Sequence, residues 1–364
     1  MIRFLSRSLF SRKIRSVLLR LDFNTEDEWR MKAAVPTVQF LLKRKVTVIV
    51  ISHRGRPEGF DKKLSLKKDA GELQKLLKKP VYFIPHFKFA EIEKIVRDAE
   101  PGSVFLLENM RFLPGEEKND PKLAASLARL ADAYVNDAFA VSHRADASVV
   151  AIAKLLPSYA GLELEKEIKC MGHALERPKR PLVIIAAGGK AHDKLEVIEN
   201  FKTKADAFLM GGAAANTLLS LKGMDVGSSL VDKDQKDLKK LHKVLGYPNI
   251  ILPVDFARGN GAILDIGPKS IKIFISKIKS ARTIVWSGPL GLIEKKSYEY
   301  GTLEIAKAIA GNTRAFSLTG GGETVMFLKK HRLDKKFTFI STGGGAMLDF
   351  LAGKKLPGIE ALRR

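Results

Sequence analysis

Cysteine is almost missing from this chain: Cys170 stands alone among 364 residues. A lone thiol excludes an internal disulfide framework and fits a reducing compartment. Long apolar runs are also missing, and no stretch is long and apolar enough to span a bilayer. Acidic side chains are in short supply, with 40 against 63 basic ones and a formal charge of +23. The average field therefore attracts anions, which suits phosphorylated metabolites, nucleic acid or acidic membrane surfaces equally well. Neither G-x-x-x-x-G-K-[ST] nor G-x-G-x-x-G occurs, so the two commonest nucleotide fingerprints are absent. No Cys/His cluster has zinc-ligand spacing and no G-x-S-x-G elbow occurs, which removes zinc enzymes and serine hydrolases.

What is present is the composition of a globular protein, 45% hydrophobic and 28% charged, over a length that exceeds one ordinary core. Short apolar runs beginning at Val17, Val46, Val81, Val104 and Ala133 alternate with amphipathic stretches. The pattern resumes after Pro181, with runs beginning at Leu182, Ala207, Ile250, Thr283, Ala315 and Phe337. Continuous apolar runs between helices are buried parallel strands. The expected fold is α/β: two Rossmann-like three-layer domains with parallel sheets, residues 1–161 and 181–352. Between them, Leu162, Leu164, Ile168, Met171 and Leu175 keep helical spacing until Pro178, which predicts a hinge helix within 162–180. The opening MIRFLSRSLFSRKIRS is Arg- and Ser-rich and superficially resembles a transit peptide. A strand expected almost at once argues against that, and the expected location is the cytoplasm.

In open α/β sheets ligands bind where strands end, and the unusual residues cluster there. In the first domain the strand exits carry Arg20, Asp22 and Asn24, then His53 and Arg56, then Arg111, then His143 and Arg144. Guanidinium forks match phosphate and carboxylate oxygens, so several together describe a pocket for a small, multiply charged anion. Asp22 and Asn24 would then take hydroxyls. Strand exits of the second domain carry glycines: Ala187-Gly-Gly-Lys190, Gly211-Gly212, Gly288-Pro289-Leu290-Gly291, Gly320-Gly-Gly-Glu323-Thr324 and Gly343-Gly-Gly345. Backbone free of side chains lets amides approach phosphate oxygens at helix N-termini. The pair suggests a transferase whose substrates meet across a cleft, and phosphoryl transfer fits because it needs chiefly positioning and positive charge.

The segments LLRLDFN, SHRGRP, LENMRFLPGEEKNDP, YVNDAFAVSHRADAS, GGKAHDK, GGAAANTLL, LPVD, LDIGPKS, VWSGPLGLIE, TGGGETV and ISTGGGAMLDFLAGKKLPG together resemble phosphoglycerate kinase, in that family's order. The resemblance implies a monomeric glycolytic phosphotransferase with a carboxyl acceptor, and a tail from 353 to 364 that packs on the first domain. It implies that the first domain binds 3-phosphoglycerate or 1,3-bisphosphoglycerate through Arg20, Asp22, Asn24, Arg30, His53, Arg56, Arg111 and Arg144. The second would bind Mg-ADP or Mg-ATP through Lys190, Lys194, Gly211, Gly212, Gly288, Pro289, Leu290, Glu294, Gly321, Gly322, Glu323 and Thr324. Arg30, Lys190 and Gly322 take catalytic positions and Glu323 the magnesium position, with hinge closure joining the substrates.

Departures from the family pattern are Glu323 for Asp, Ser287 for Asn, Asp146 for His, the order Ala187-Gly-Gly-Lys190, a short loop after Asn24 and an abbreviated stretch from Asp255 to Leu264. They leave open a diverged homologue with altered nucleotide preference or weak activity. The charge leaves open a basic scaffold for nucleic acid, although no stacking strip or recognition motif supports one.

Overall fold

The computed structural model describes residues 1–7, 14–25 and 28–363. Part of the transit-like opening, residues 8–13, lies outside them. The chain divides into two compact units, one of residues 1–168 with 355–364, the other of residues 169–354.

The first unit is a six-stranded parallel sheet. Its strands are β1 (Ser16–Arg20), β2 (Thr47–Ile51), β3 (Tyr82–Ile84), β4 (Val104–Leu107), β5 (Ala133–Asn136) and β6 (Ser158–Ala160), in the order β3-β4-β2-β1-β5-β6. Helices α1 (Trp29–Leu42), α2 (Lys67–Leu77), α3 (Phe89–Arg97) and α4 (Pro121–Ala128) connect them, and α5 (Leu162–Glu176) runs out of the unit. Val17 and Leu19, Val48 and Val50, Val104 and Leu106, and Ala133 and Val135 form one sheet face, packed on Met31, Val38, Leu41 and Leu73 of the helices. Their intervening neighbours Leu18, Ile49, Phe105 and Tyr134 are buried on the other face, so both faces are covered, as apolar parallel strands require. Near the chain end α13 (Pro357–Glu360) packs on this unit, with Gly358 N–H donating to Ser142 O at 2.8 Å.

The second unit has a six-stranded parallel sheet of β7 (Leu182–Ala186), β8 (Ala207–Met210), β9 (Ile250–Ile251), β12 (Thr283–Ser287), β13 (Phe316–Gly320) and β14 (Phe339–Ser341), with a separate hairpin of β10 (Phe256–Gly259) and β11 (Ala262–Ile266). Helices α6 (His192–Phe201), α7 (Gly212–Leu221), α8 (Gln235–Val244), α9 (Pro268–Ser280), α10 (Tyr300–Gly311), α11 (Gly322–Lys330) and α12 (Gly344–Leu351) flank the sheet. Its order, β14-β13-β12-β7-β8-β9, reverses direction between β7 and β12, and that switch point is where a doubly wound sheet opens a crevice for a ligand. The core below it packs Val183, Ile185, Ile284 and Trp286 against Phe274, Ile278, Ile305 and Ile309. No helix among the described residues is long and apolar enough to cross a membrane.

Two elements escape the apolar-run pattern. Strand β6, Ser158-Tyr159-Ala160, contains no Val, Ile, Leu or Phe and so forms no apolar run. The hairpin is marked instead by its turn: Asn260 and Gly261 both have positive φ, 50° and 74°, the pairing that a two-residue hairpin loop favours.

Candidate active site

At the C-terminal ends of β1, β2 and β5 the first unit gathers a buried polar network. Arg20, the last residue of β1, is fully buried; its Nε donates to Ser148 Oγ at 3.0 Å, Nη1 donates to Leu21 O, and Nη2 approaches His53 Nδ1 at 3.1 Å. A guanidinium can only donate, so Nδ1 is the acceptor and a neutral His53 ring carries its proton on Nε2. Burial holds the His53 pKa well below its ordinary value, and Arg20, Arg111, Arg30 and Arg54 add to the effect. The ring is therefore neutral, and its 3.7 Å approach to Asp22 is not an ion pair.

Asp22 accepts from Arg30 Nη1 at 2.7 Å and from the Asn24 N–H at 3.0 Å. Asn24 Oδ1 accepts from Gly55 N–H at 2.8 Å, which joins the ends of β1 and β2. Arg111 donates to Gly55 O and lies 3.1 Å from Glu117. Thus Arg20, Asp22, Asn24, Arg30, His53 and Arg111 form one connected set, whereas Arg56 is exposed and Arg144 half-buried, with no side-chain hydrogen bond tying either to it. Arg30 Nε, Arg111 Nε and His53 Nε2 are buried donors without hydrogen-bond partners. Folded proteins leave few such groups unsatisfied, so this cluster has the unmet donors of an anion site.

Glu116, Ser148 and Arg54 also belong to this network, although the reading of strand exits did not single them out. Glu116 is fully buried; its oxygens accept from the Ser148 N–H at 3.1 Å and the Ser148 hydroxyl. Burial pushes its carboxyl up, and Arg20 pulls it down. Glu116 and Ser148 thereby fix the Arg20 guanidinium from behind. Arg54 lies beside His53 and pairs with Asp69 at 2.6 Å. Buried Asp146, the departure noted above, is pushed up by burial while Arg20 and Arg111 pull it down.

In the second unit a cavity of about 210 Å³ opens at the switch point. Gly188, Gly212, Pro289, Leu290, Glu294 and Glu323 line it, with Leu230, Phe256 and Ile263 supplying apolar wall. The three strand-end loops interlock: Gly188 N–H donates to Pro289 O at 2.9 Å, Gly212 N–H to Leu290 O at 3.2 Å, and Ala213 N–H to Gly188 O at 2.9 Å. Such close backbone approach requires glycine. A Cβ on Gly212 (φ 56°) would lie 2.7 Å from the Gly188 backbone, and one on Gly288 (φ 85°) 2.2 Å from Ala187 O.

Gly211 is the N-cap of α7, and Gly321 precedes α11, whose first residues are Gly322, Glu323 and Thr324. Lys190 is exposed and Lys194 buried; neither lines the cavity wall. Burial lowers the Lys194 pKa, and the carboxylates of Asp193 and Glu323 raise it, which places Glu323 in the field of Lys194. Thr324 Oγ1 is buried without a partner. Glu323 and Thr324 thus offer oxygen donors of the kind magnesium takes.

A unit with unmet cationic donors at its strand ends and a second with a glycine-lined crevice at its switch point define a phosphotransferase of doubly wound α/β units. The phosphoglycerate kinase family model matches residues 10–354. Phosphoglycerate kinases of Dictyoglomus turgidum and Pelotomaculum thermopropionicum are 41% and 42% identical, each over 96% of both chains. Solved phosphoglycerate kinase structures from Coxiella burnetii and Pyrococcus horikoshii superpose with TM-scores of 0.85 and 0.87 at 33% identity, covering all of this chain and 99% and 98% of theirs. The chain belongs to the phosphoglycerate kinase family, and is a kinase with a carboxyl group as acceptor and a nucleotide as co-substrate.

Proposed function

We propose that the arginine-bearing strand ends of the first unit bind the phosphoglycerate and the crevice of the second binds the nucleotide. The reaction is the reversible transfer of a phosphoryl group between 1,3-bisphosphoglycerate and ADP. Toward ATP synthesis, a β-phosphate oxygen of ADP forms a bond to the phosphorus of the acyl phosphate; the bond from that phosphorus to the carboxyl oxygen breaks, and 3-phosphoglycerate leaves as a carboxylate. Both nucleophile and leaving group belong to the substrates, so the protein needs no nucleophile of its own. Its task is alignment and neutralisation of charge on the moving group.

Arg20, Arg56, Arg111, Arg144 and the Nε2–H of His53 hold the acid's phosphate, with Asp22 and Asn24 toward its hydroxyl. Arg30 and Lys190 carry positive charge to the transferring phosphoryl group, aided by the N-terminal backbone of α11 at Gly322. Lys194, Gly321 and Thr324 take the nucleotide phosphates. Gly211, Gly212, Gly288, Pro289 and Leu290 receive the adenosine, and Glu294 its ribose. Magnesium, held by Glu323 with Thr324 beside it, would supply further neutralisation of phosphate charge. We place the protein in the cytoplasm as a monomer.

The buried, unpartnered donors of Arg30, Arg111 and His53 carry this assignment. In a coupled assay of ATP-dependent 3-phosphoglycerate phosphorylation with magnesium, Arg30→Ala and Lys190→Ala are each expected to lower kcat by about a hundredfold or more. Lys190→Ala, at an exposed side chain, should keep the wild-type unfolding midpoint, whereas Arg30→Ala, which removes the partner of buried Asp22, should lower it without unfolding the protein at assay temperature. Wild-type turnover retained in either variant would remove that residue from the mechanism.

A further inference from the structure

Asp265, near the end of β11, is a carboxylate that the phosphoryl-transfer chemistry does not use, yet it sits in the cavity wall at 2% exposure. Its Oδ2 accepts from Gly301 N–H at 2.7 Å and its Oδ1 from Ile266 N–H at 2.8 Å. The space around it is closed: a Cβ on either Gly291 or Gly301 would lie 2.4 Å from Oδ1. Gly301 belongs to the first turn of α10, and its neighbour Thr302 accepts on its hydroxyl from Leu290 N–H at 3.0 Å and Gly291 N–H at 3.2 Å. On the other side, Leu292 N–H donates to Leu264 O at 2.8 Å. The Pro289–Leu292 segment of the cavity is thus tied to α10 through Thr302 and to β11 through Leu264, and Asp265 joins α10 to β11.

We propose that Asp265 is a positioning residue for the nucleotide, its carboxylate pinning the first turn of α10 to β11 and so setting where the Leu290–Leu292 wall meets the base of a nucleoside di- or triphosphate. This rests on the assignment of the cavity to the nucleotide. Burial pushes the carboxyl up to about 6, consistent with an acid retained in an apolar wall for its two acceptor oxygens. A buried acid that merely supported the fold would lower thermal stability when replaced and leave the two substrates equally affected.

The test uses the full chain with Asp265→Asn, which keeps the shape but turns one acceptor into a donor facing a backbone N–H. ADP affinity, measured by calorimetry without the acid, is expected to weaken about tenfold. The KM for nucleotide should rise with it, while the KM for 3-phosphoglycerate changes by less than about twofold. Thr302→Val should weaken ADP in the same direction, and the double variant by less than the product of the two single effects, because both act through one segment. Should Asp265→Asn fail to fold, Thr302→Val and its ADP affinity decide the matter. Gly212→Ala, whose Cβ would intrude on the cavity lining, separates the two levels. If it leaves ADP affinity unchanged, the cavity is not the nucleotide site and the proposal falls with it. If it weakens ADP while Asp265→Asn or Thr302→Val does not, or if both KM values shift alike, the positioning role is overturned and the cavity assignment stands.

Discussion

Asp137, the residue after β5, shows how burial converts a side chain into a pH-dependent part of the fold. Its Oδ1 accepts from the N–H groups of Glu163 and Leu164, each at 2.9 Å, and so caps the start of α5, while Oδ2 is buried without a partner. Burial pushes its carboxyl up to about 7. The folded state therefore holds this proton more tightly than the unfolded chain, where the ordinary value is 3.8. The resulting stability is present in acid and lost as pH rises through about 7. Asp137→Asn preserves the Oδ1 cap and removes the titration. It should be more stable than wild type at pH 8 by at least about 1 kcal/mol, with the advantage shrinking toward pH 5, as paired thermal unfolding curves would show. An advantage independent of pH would mean that Asp137 is ionised in both states. Arg20 and His53 teach a related lesson. Their positions at strand exits were legible from the apolar runs, but the neutral state of His53 and the Glu116–Ser148 support behind Arg20 were not, because those depend on groups many residues away.

At the scale of elements, the β7, β8 and β12 ends depend on one another through backbone contacts that tolerate no side chain. Gly288→Ala would force a positive φ on alanine and drive a Cβ against Ala187 O. It is expected to cost about 2 kcal/mol or more of stability and to abolish measurable ADP binding, readable by denaturant unfolding and calorimetry. Normal ADP affinity in that variant would show that the loops can reseat without loss of the crevice. The recurrence of glycine after strands announced these turns. Which of them converge was not announced, since Gly188, Gly212 and Gly288 meet only through the strand order β12-β7-β8. The hairpin β10–β11 supplies Phe256, Ile263 and Asp265 to the cavity. Its Asn-Gly turn was available as a signal, but its strands lack the continuous apolar character of buried parallel ones.

For the whole molecule, the charge of +23 raises the local concentration of anionic substrates in a salt-dependent way. Increasing KCl from about 0.05 to 0.3 M shortens the screening length roughly twofold. The KM for 3-phosphoglycerate should rise several-fold over that range, with kcat changed less, in steady-state assays at fixed magnesium. A KM indifferent to salt would assign the excess charge to surface remote from the arginine-bearing strand ends.

The alternation of apolar and amphipathic segments sufficed to determine the α/β class, because a buried parallel strand must be apolar along its length, and the order of the motifs sufficed for the family. The same local rules placed arginines and glycines at strand exits. Strand order, the meeting of Gly188, Gly212 and Gly288, the tautomer of His53 and the Asp265–Gly301–Thr302 connection were decided by the tertiary structure alone. Each is a relation between segments, set by packing and by the need to satisfy buried polar atoms, and no single segment contains it.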